Sequence, residues 1–262
     1  MRTHDKPPPP AEGGQAKHGG AEKAGSGIGP DGIPDGLDIT LRLDMGLPLP
    51  RLTAAVTEVC DRAEERSERT VVIVRLPRAA AAARSWPGPV DIQQINRWER
   101  AVRRLERLPA MSIAVAGGAC GGPALDLLLV SDYRIGAPDL RLLAPVNEGH
   151  FWPGMAVYRL SQQLGAARAR QIVLWGDDID ASRAHELGLI DQVSADTDEA
   201  VHTASVLMGR ISDRELAVRR QLLLEAQTLE FDDALGAHLA ACDRELRRLT
   251  ALQADPAPGG GA

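Results

Sequence analysis

The sequence predicts an α/β fold, with a mainly parallel sheet flanked by helices that gives way to a helical last third. Three observations carry this reading. Strand-like and helix-like segments alternate through the first half. The inner strand candidates are short continuous apolar runs, as expected where helices cover both faces of a sheet. From Met155 onward the periodicity is almost wholly helical.

The elements follow in order. "LDITLRLD" (Leu37–Asp44) alternates apolar and polar residues like a half-buried strand. Leu52, Ala55, Val56, Val59, Cys60 and Ala63 then recur at helical spacing. "TVVIVRL" (Thr70–Leu76) is a β-branched run that reads as a buried strand. After a loop rich in Pro, Ala and Gly, Ile95, Trp98, Val102 and Leu105 mark an amphipathic helix, and "SIAV" (Ser112–Val115) is a short buried strand. A glycine-rich bend follows in "GGACGGPALDLLLVSDYRIG" (Gly117–Gly136), then an apolar helix with one carboxylate, Asp126, then a strand. Leu235, Leu239, Cys242, Leu246 and Leu249 mark a long final helix. Residues 1–36, with Pro7 to Pro10, repeated Gly-Gly pairs and almost no large apolar side chain, read as a disordered tail. "DPAPGGGA" (residues 255–262) reads the same way.

Composition narrows the function classes. The formal net charge of −6 does not favour a nucleic-acid partner, which calls for a basic surface. No apolar run approaches the roughly 20 residues that span a bilayer. "MRTHDKPPPP" lacks the apolar stretch of a secretory signal. The three cysteines, Cys60, Cys120 and Cys242, are odd in number and widely spaced, so they outline neither a disulfide framework nor a metal site. A reducing cytoplasm is the expected compartment. "GSGIGPDG" (Gly25–Gly32) imitates a dinucleotide loop, but it follows no strand and opens no helix.

Two stretches, "PAMSIAVAGGACGGPALDLLLVSDYRI" and "WPGMAVYRLSQQLGAARARQIVLWGDDIDASRAHELGLIDQV", resemble the enoyl-CoA hydratase/isomerase (crotonase) superfamily. The most specific parts are the bend with its helix and "D-x-R-I" strand, and "A-x-x-x-G-L-I-D-x-V" at Ala184–Val193. The resemblance implies a crotonase-like fold with a ββα-type core over residues 37–193. A helical region at 194–254 would build a homo-oligomer, a trimer or hexamer. It also implies an acyl-CoA thioester as substrate and no further cofactor. "WERAVRRLERLPA" and "WPGMAVYRL" are most similar to a divergent auxiliary branch of 3,5-dihydroxyphenylglycine biosynthesis. That branch implies a type III polyketide synthase, and another crotonase-like protein, as partners.

In this family two backbone N–H groups hold the thioester oxygen and stabilise the enolate that forms on it. The resemblance places the first donor at the amide of Val90, in Gly88-Pro89-Val90-Asp91. An ordinary turn capped by Asp91 at a helix start fits those residues equally well. The second donor falls on Pro123, which has no N–H, so Gly122 or Ala124 would have to supply it. Gly122 as N-cap with Pro123 at the first helical position is also a favourable helix start in its own right.

Asp126 stands where the hydratases carry one catalytic glutamate, and the second aligns with Val146, which cannot transfer a proton. A lone carboxylate among leucines must be paired, protonated or lining a cavity. The resemblance makes it the acid/base; an aspartate pairing an arginine across a subunit contact is the alternative. Glu148 and His150 are candidate substitutes for the missing group, or simply a solvated glutamate and a packing histidine. In a chain with 3% aromatic residues, Phe151 and Trp152, with Trp86 from another loop, either wall a pocket for a ring-shaped acyl group or pack their loops. The basic stretch Arg244–Arg248 would meet CoA phosphates from a neighbouring subunit or lie as a solvated helix face.

Overall fold

The computed structural model describes residues 38–66, 69–78, 89–143, 146–147, 150–176 and 178–254. The chain runs β1 (Asp38–Arg42), α1 (Leu49–Glu65), β2 (Val71–Arg75), α2 (Ile92–Glu106), β3 (Met111–Ala116), β4 (Ala119–Cys120), α3 (Pro123–Val130), β5 (Tyr133–Gly136) and β6 (Arg141–Leu142). It continues through β7 (Val146–Asn147), β8 (His150–Phe151), α4 (Met155–Trp175), β9 (Ile179–Asp180), α5 (Ala181–Glu186) and β10 (Gln192–Val193). Three helices, α6 (Thr197–Met208), α7 (Asp213–Ala226) and α8 (Phe231–Ala254), close it. Both expected tails lie outside the described residues.

The main sheet has five strands in the order β1-β2-β3-β5-β10, and every pairing within it is parallel. Strand alternation divides its side chains between two cores. Val72 and Val74 of β2 join the cluster built with α1, α2 and α3. Val71 and Ile73 face the other way, with Ile113, Ala200, Val201 and Leu216, under α6 and α7. The near-continuous apolar runs follow from this double cover. A small second sheet, β4-β6-β9, and the hairpin β7-β8 stand beside it.

The last third is helical as expected, with two exceptions. Strands β9 and β10 interrupt it, and β10 pairs with β5 as the edge of the main sheet. Two residues are too few to show a period, so the ladder reveals what the sequence pattern does not. Helix α4 also bends at Gly165, whose φ of 74° and ψ of 159° are not helical.

Candidate active site

The glycine-rich bend leaves the end of β3 and turns twice before α3. Gly117 is needed for close approach: a Cβ there would lie 3.0 Å from Arg78 Nε and 3.1 Å from the Ala137 Cβ. The bend is held by β6, because Arg141 N–H donates to Gly118 O (2.8 Å) and Leu143 N–H to Cys120 O (2.9 Å). Gly122 is the N-cap of α3 with φ 54° and ψ −129°, and Pro123 takes the first helical turn. The Ala124 N–H turns back to Gly121 O at 3.2 Å, which removes it as a donor to a ligand. Among the described residues, none accepts the Gly122 N–H.

Val90 precedes Asp91, the N-cap of α2, and packs, partly buried, against the main core. Asp91 behind it caps the helix. Gln94 N–H donates to its carboxylate (2.8 Å) and the Gln94 side chain accepts from the Asp91 N–H (3.0 Å), a full capping box. The cap and a donor role for Val90 are compatible, since the box uses neither atom of the Val90 peptide N–H.

Asp126 occupies the first turn of α3 and is 5% exposed. The Trp98 indole N–H of α2 donates to its Oδ2 at 2.9 Å. Arg159 of α4, itself 6% exposed, donates from Nη1 to Oδ1 at 3.0 Å, and its Nη2 reaches Glu99 Oε2 at 2.8 Å. Burial pushes the Asp126 carboxyl up to about 7, against the opposing pull of Arg159 and with a further push from Glu99. The partner is therefore an arginine of the same chain, buried in its core, and not the arginine across a subunit contact that the sequence suggests. Sequence reasoning missed Trp98 and Arg159. Trp98 reads as an apolar core residue, and Arg159 as one charge in a helix otherwise apolar at that turn.

The other candidates belong to other elements or lie outside the described residues. Val146 and His150 lie in the hairpin, with Val146 opposite Phe151 and Asn147 opposite His150. Trp152 is half-buried and packs on Gly154, where a Cβ would come within 2.7 Å of the indole Nε1. Glu148 and Trp86 lie outside the described residues, as does Gly88. Arg247 and Arg248 are exposed on α8 and pair with Asp243 (2.7 Å) and Glu245 (2.6 Å).

At the carboxyl ends of β1, β2 and β3 the structure opens a cleft of about 300 Å³. Arg42, Arg75, Arg78, Gly117 and Ala137 are among its lining residues. Arg75 pairs with Asp198 at 2.6 Å and Arg78 with Asp139 at 3.3 Å. In open parallel sheets ligands bind beyond the carboxyl ends of the strands. A parallel sheet whose third strand runs into a glycine bend and an apolar helix is the arrangement of the crotonase fold.

Comparison with known proteins agrees. A family model described as Enoyl-CoA hydratase/isomerase matches residues 91–253. A protein from Amycolatopsis orientalis named enoyl-CoA-hydratase is 46% identical over 213 residues, covering 80% of this chain and 97% of that one. The chain belongs to the enoyl-CoA hydratase/isomerase (crotonase) family. Among solved structures, an enoyl-CoA hydratase from Bacillus anthracis superposes with a TM-score of 0.67 at 19% identity, covering 83% of this chain and 90% of that chain. One from Polaromonas gives a TM-score of 0.66 at 23% identity, covering 85% and 95%. At these identities they establish the fold.

Proposed function

We propose that this protein acts on a CoA-bound polyketide and assists its enolisation and loss of water toward 3,5-dihydroxyphenylacetyl-CoA, beside a type III polyketide synthase. Family membership supports a CoA thioester as the ligand. The observation that carries the reading is the state of the bend. Gly122 keeps a glycine-only conformation with an amide unclaimed among the described residues, and by the resemblance Pro123 and Val146 stand where an ordinary hydratase carries a donor and a glutamate. A site that keeps an oxygen-binding amide but lacks the second proton-transfer group suits enolate stabilisation better than water addition. The arginine-lined cleft at the strand ends would receive the anionic end of the thioester. Val90 would supply the second amide, and Trp152, Phe151 and Trp86 the wall against a ring-shaped acyl group. His150 and Glu148 would serve any proton movement at the hairpin.

A second reading is favoured by one observation. Both oxygens of Asp126 are already hydrogen-bonded within the core. On this reading the protein is a catalytically reduced partner that stimulates the synthase, or another crotonase-like protein, by contact. The working form would in either case be a closed homo-oligomer, a trimer or hexamer.

The test adds the purified protein to a type III synthase that makes the polyketide and measures 3,5-dihydroxyphenylacetyl-CoA. Increased product, together with negligible hydration of crotonyl-CoA, is the expected result. Crotonyl-CoA turnover comparable to an ordinary hydratase, or an unchanged product yield, rejects the proposal.

A further inference from the structure

The carboxylate that the resemblance singles out is held unlike a group that moves protons. A general acid or base needs an oxygen directed at the substrate. In Asp126 the Oδ1 accepts from Arg159 and the Oδ2 from Trp98, and the strand-end cleft is lined without it. The two donors come from different helices, 28 residues before Asp126 and 33 after it. Glu99, beside Trp98 on α2, takes the other nitrogen of the same guanidinium, so α2 and α4 are joined once through Asp126 of α3 and once directly.

The helices so joined are the three that begin at the candidate site. Helix α2 starts behind Val90, α3 at Gly122 and α4 just beyond Trp152. We infer that Asp126 is a positioning residue: with Trp98, Arg159 and Glu99 it pins α2, α3 and α4 together and so sets the Val90 and Gly122 amides, and it does not carry the proton. The inference rests on reading those amides as the thioester-oxygen site. The clamp itself is testable without that reading.

A buried ion pair has a characteristic mutational signature. Removing one partner strands the other charge in the core, whereas replacing all the polar members with apolar groups of similar volume is close to neutral. Arg159→Met leaves the Asp126 and Glu99 carboxylates facing each other without a cation, and is expected to lower the melting temperature by about 10 °C. The combined variant Trp98→Phe, Asp126→Leu, Arg159→Met frees Glu99, 20% exposed, to turn outward, and is expected to melt within ~3 °C of the parent. Arg159→Met melting with the parent overturns the clamp. If the combined variant does not fold, the cycle of Asp126→Asn, Arg159→Met and their double variant decides. Losses that do not add, the double being no worse than the worse single, support the clamp, and additive losses overturn it.

Proton transfer is read separately, by NMR, as exchange of the α-protons of phenylacetyl-CoA in deuterated water. A proton-transferring Asp126 requires the folded combined variant to lose about 10²–10⁴-fold in rate, with one limb of the pH profile gone. A positioning role predicts a loss under about tenfold and a profile of unchanged shape, and the larger loss overturns it. If the parent protein shows no exchange, the enolisation reading of the previous subsection fails, and the melting series alone judges the clamp.

Discussion

Buried charge in this protein is used to tie helices to the sheet rather than left to solvent. Arg134, from the "D-x-R-I" strand, donates to Leu129 O and Ser131 O, both at 3.0 Å, and to Gln163 Oε1 at 2.8 Å. Its guanidinium thereby satisfies the orphan carbonyls at the end of α3, where a positive charge also suits the helix dipole. Burial lowers its pKa, yet an arginine so far above neutrality stays charged. Arg220 instead ties its own helix, α7, to the sheet: its Nε donates to Asp132 at 2.9 Å, and Asp132 in turn accepts from the Ser112 N–H at 2.8 Å. The cysteines follow the opposite logic. Burial pushes the thiols of Cys60 and Cys120 up to about 12, so at pH 8 roughly one in ten thousand is thiolate. Both are expected to resist a thiol reagent at pH 8 in the native protein and to react after denaturation, as read by mass spectrometry. Rapid native labelling of Cys120 would show that the bend beside it opens readily.

At the scale of elements, the bend before α3 is where local conformation and chemistry meet. Gly122 combines φ 54° with ψ −129°, a region that an L side chain enters only under strain. Gly122→Ala is expected to cost about 1–3 kcal/mol of stability. The start of α3 should move with it, so binding of an acyl-CoA should weaken along with the melting temperature; an alanine variant with parental melting and binding would show that the bend has slack. How far these elements can be read from sequence depends on length and range. Helices α1 and α2 and strands β2 and β3 are legible because Leu52, Val56, Val59 and Cys60, or the run Val71–Val74, repeat a period over several residues. Strands β9 and β10 are not, since a two-residue ladder exists only through its partner. The site divides the same way. The glycines and Asp91 announce a bend and a cap by local chemistry, and the leucines around Asp126 announce that it needs a partner. Which partner is a matter of how three helices cross, and no spacing records that Trp98 and Arg159 meet it.

At the scale of the whole molecule, α8 carries an apolar face that the described residues leave uncovered. On α8, Leu235 (40%), Leu239 (57%), Leu246 (63%) and Leu249 (42%) are exposed, with exposed Cys242 between them. Their intervals alternate between four and three residues, the spacing that keeps one seam of a helix turned toward another helix. The neighbouring face of α8, with His238, Ala241 and Glu245, lines a groove of about 630 Å³ against α7 whose lining residues are mostly polar, and of the seam only Cys242 reaches it. A seam of this length has no use in water: each leucine gains about 1.5–3 kcal/mol on full burial, and a monomer forgoes that. Four of the charged residues between the leucines are already paired along the helix, Arg247 with Asp243 and Arg248 with Glu245, so association need not strand them. The expected outcome is a closed homo-oligomer, a trimer or a pair of trimers, at micromolar concentration in light scattering. Leu239→Asp with Leu246→Asp places two carboxylates in the middle of the seam, where they would have to lose their water without a cation in reach. The doubly substituted protein should therefore run as a monomer while its far-UV circular dichroism stays close to the parent's, because neither leucine belongs to the buried core of the single chain. A parent protein that is monomeric at that concentration, or a double variant that keeps the parental mass, would show that α8 is not the assembling surface.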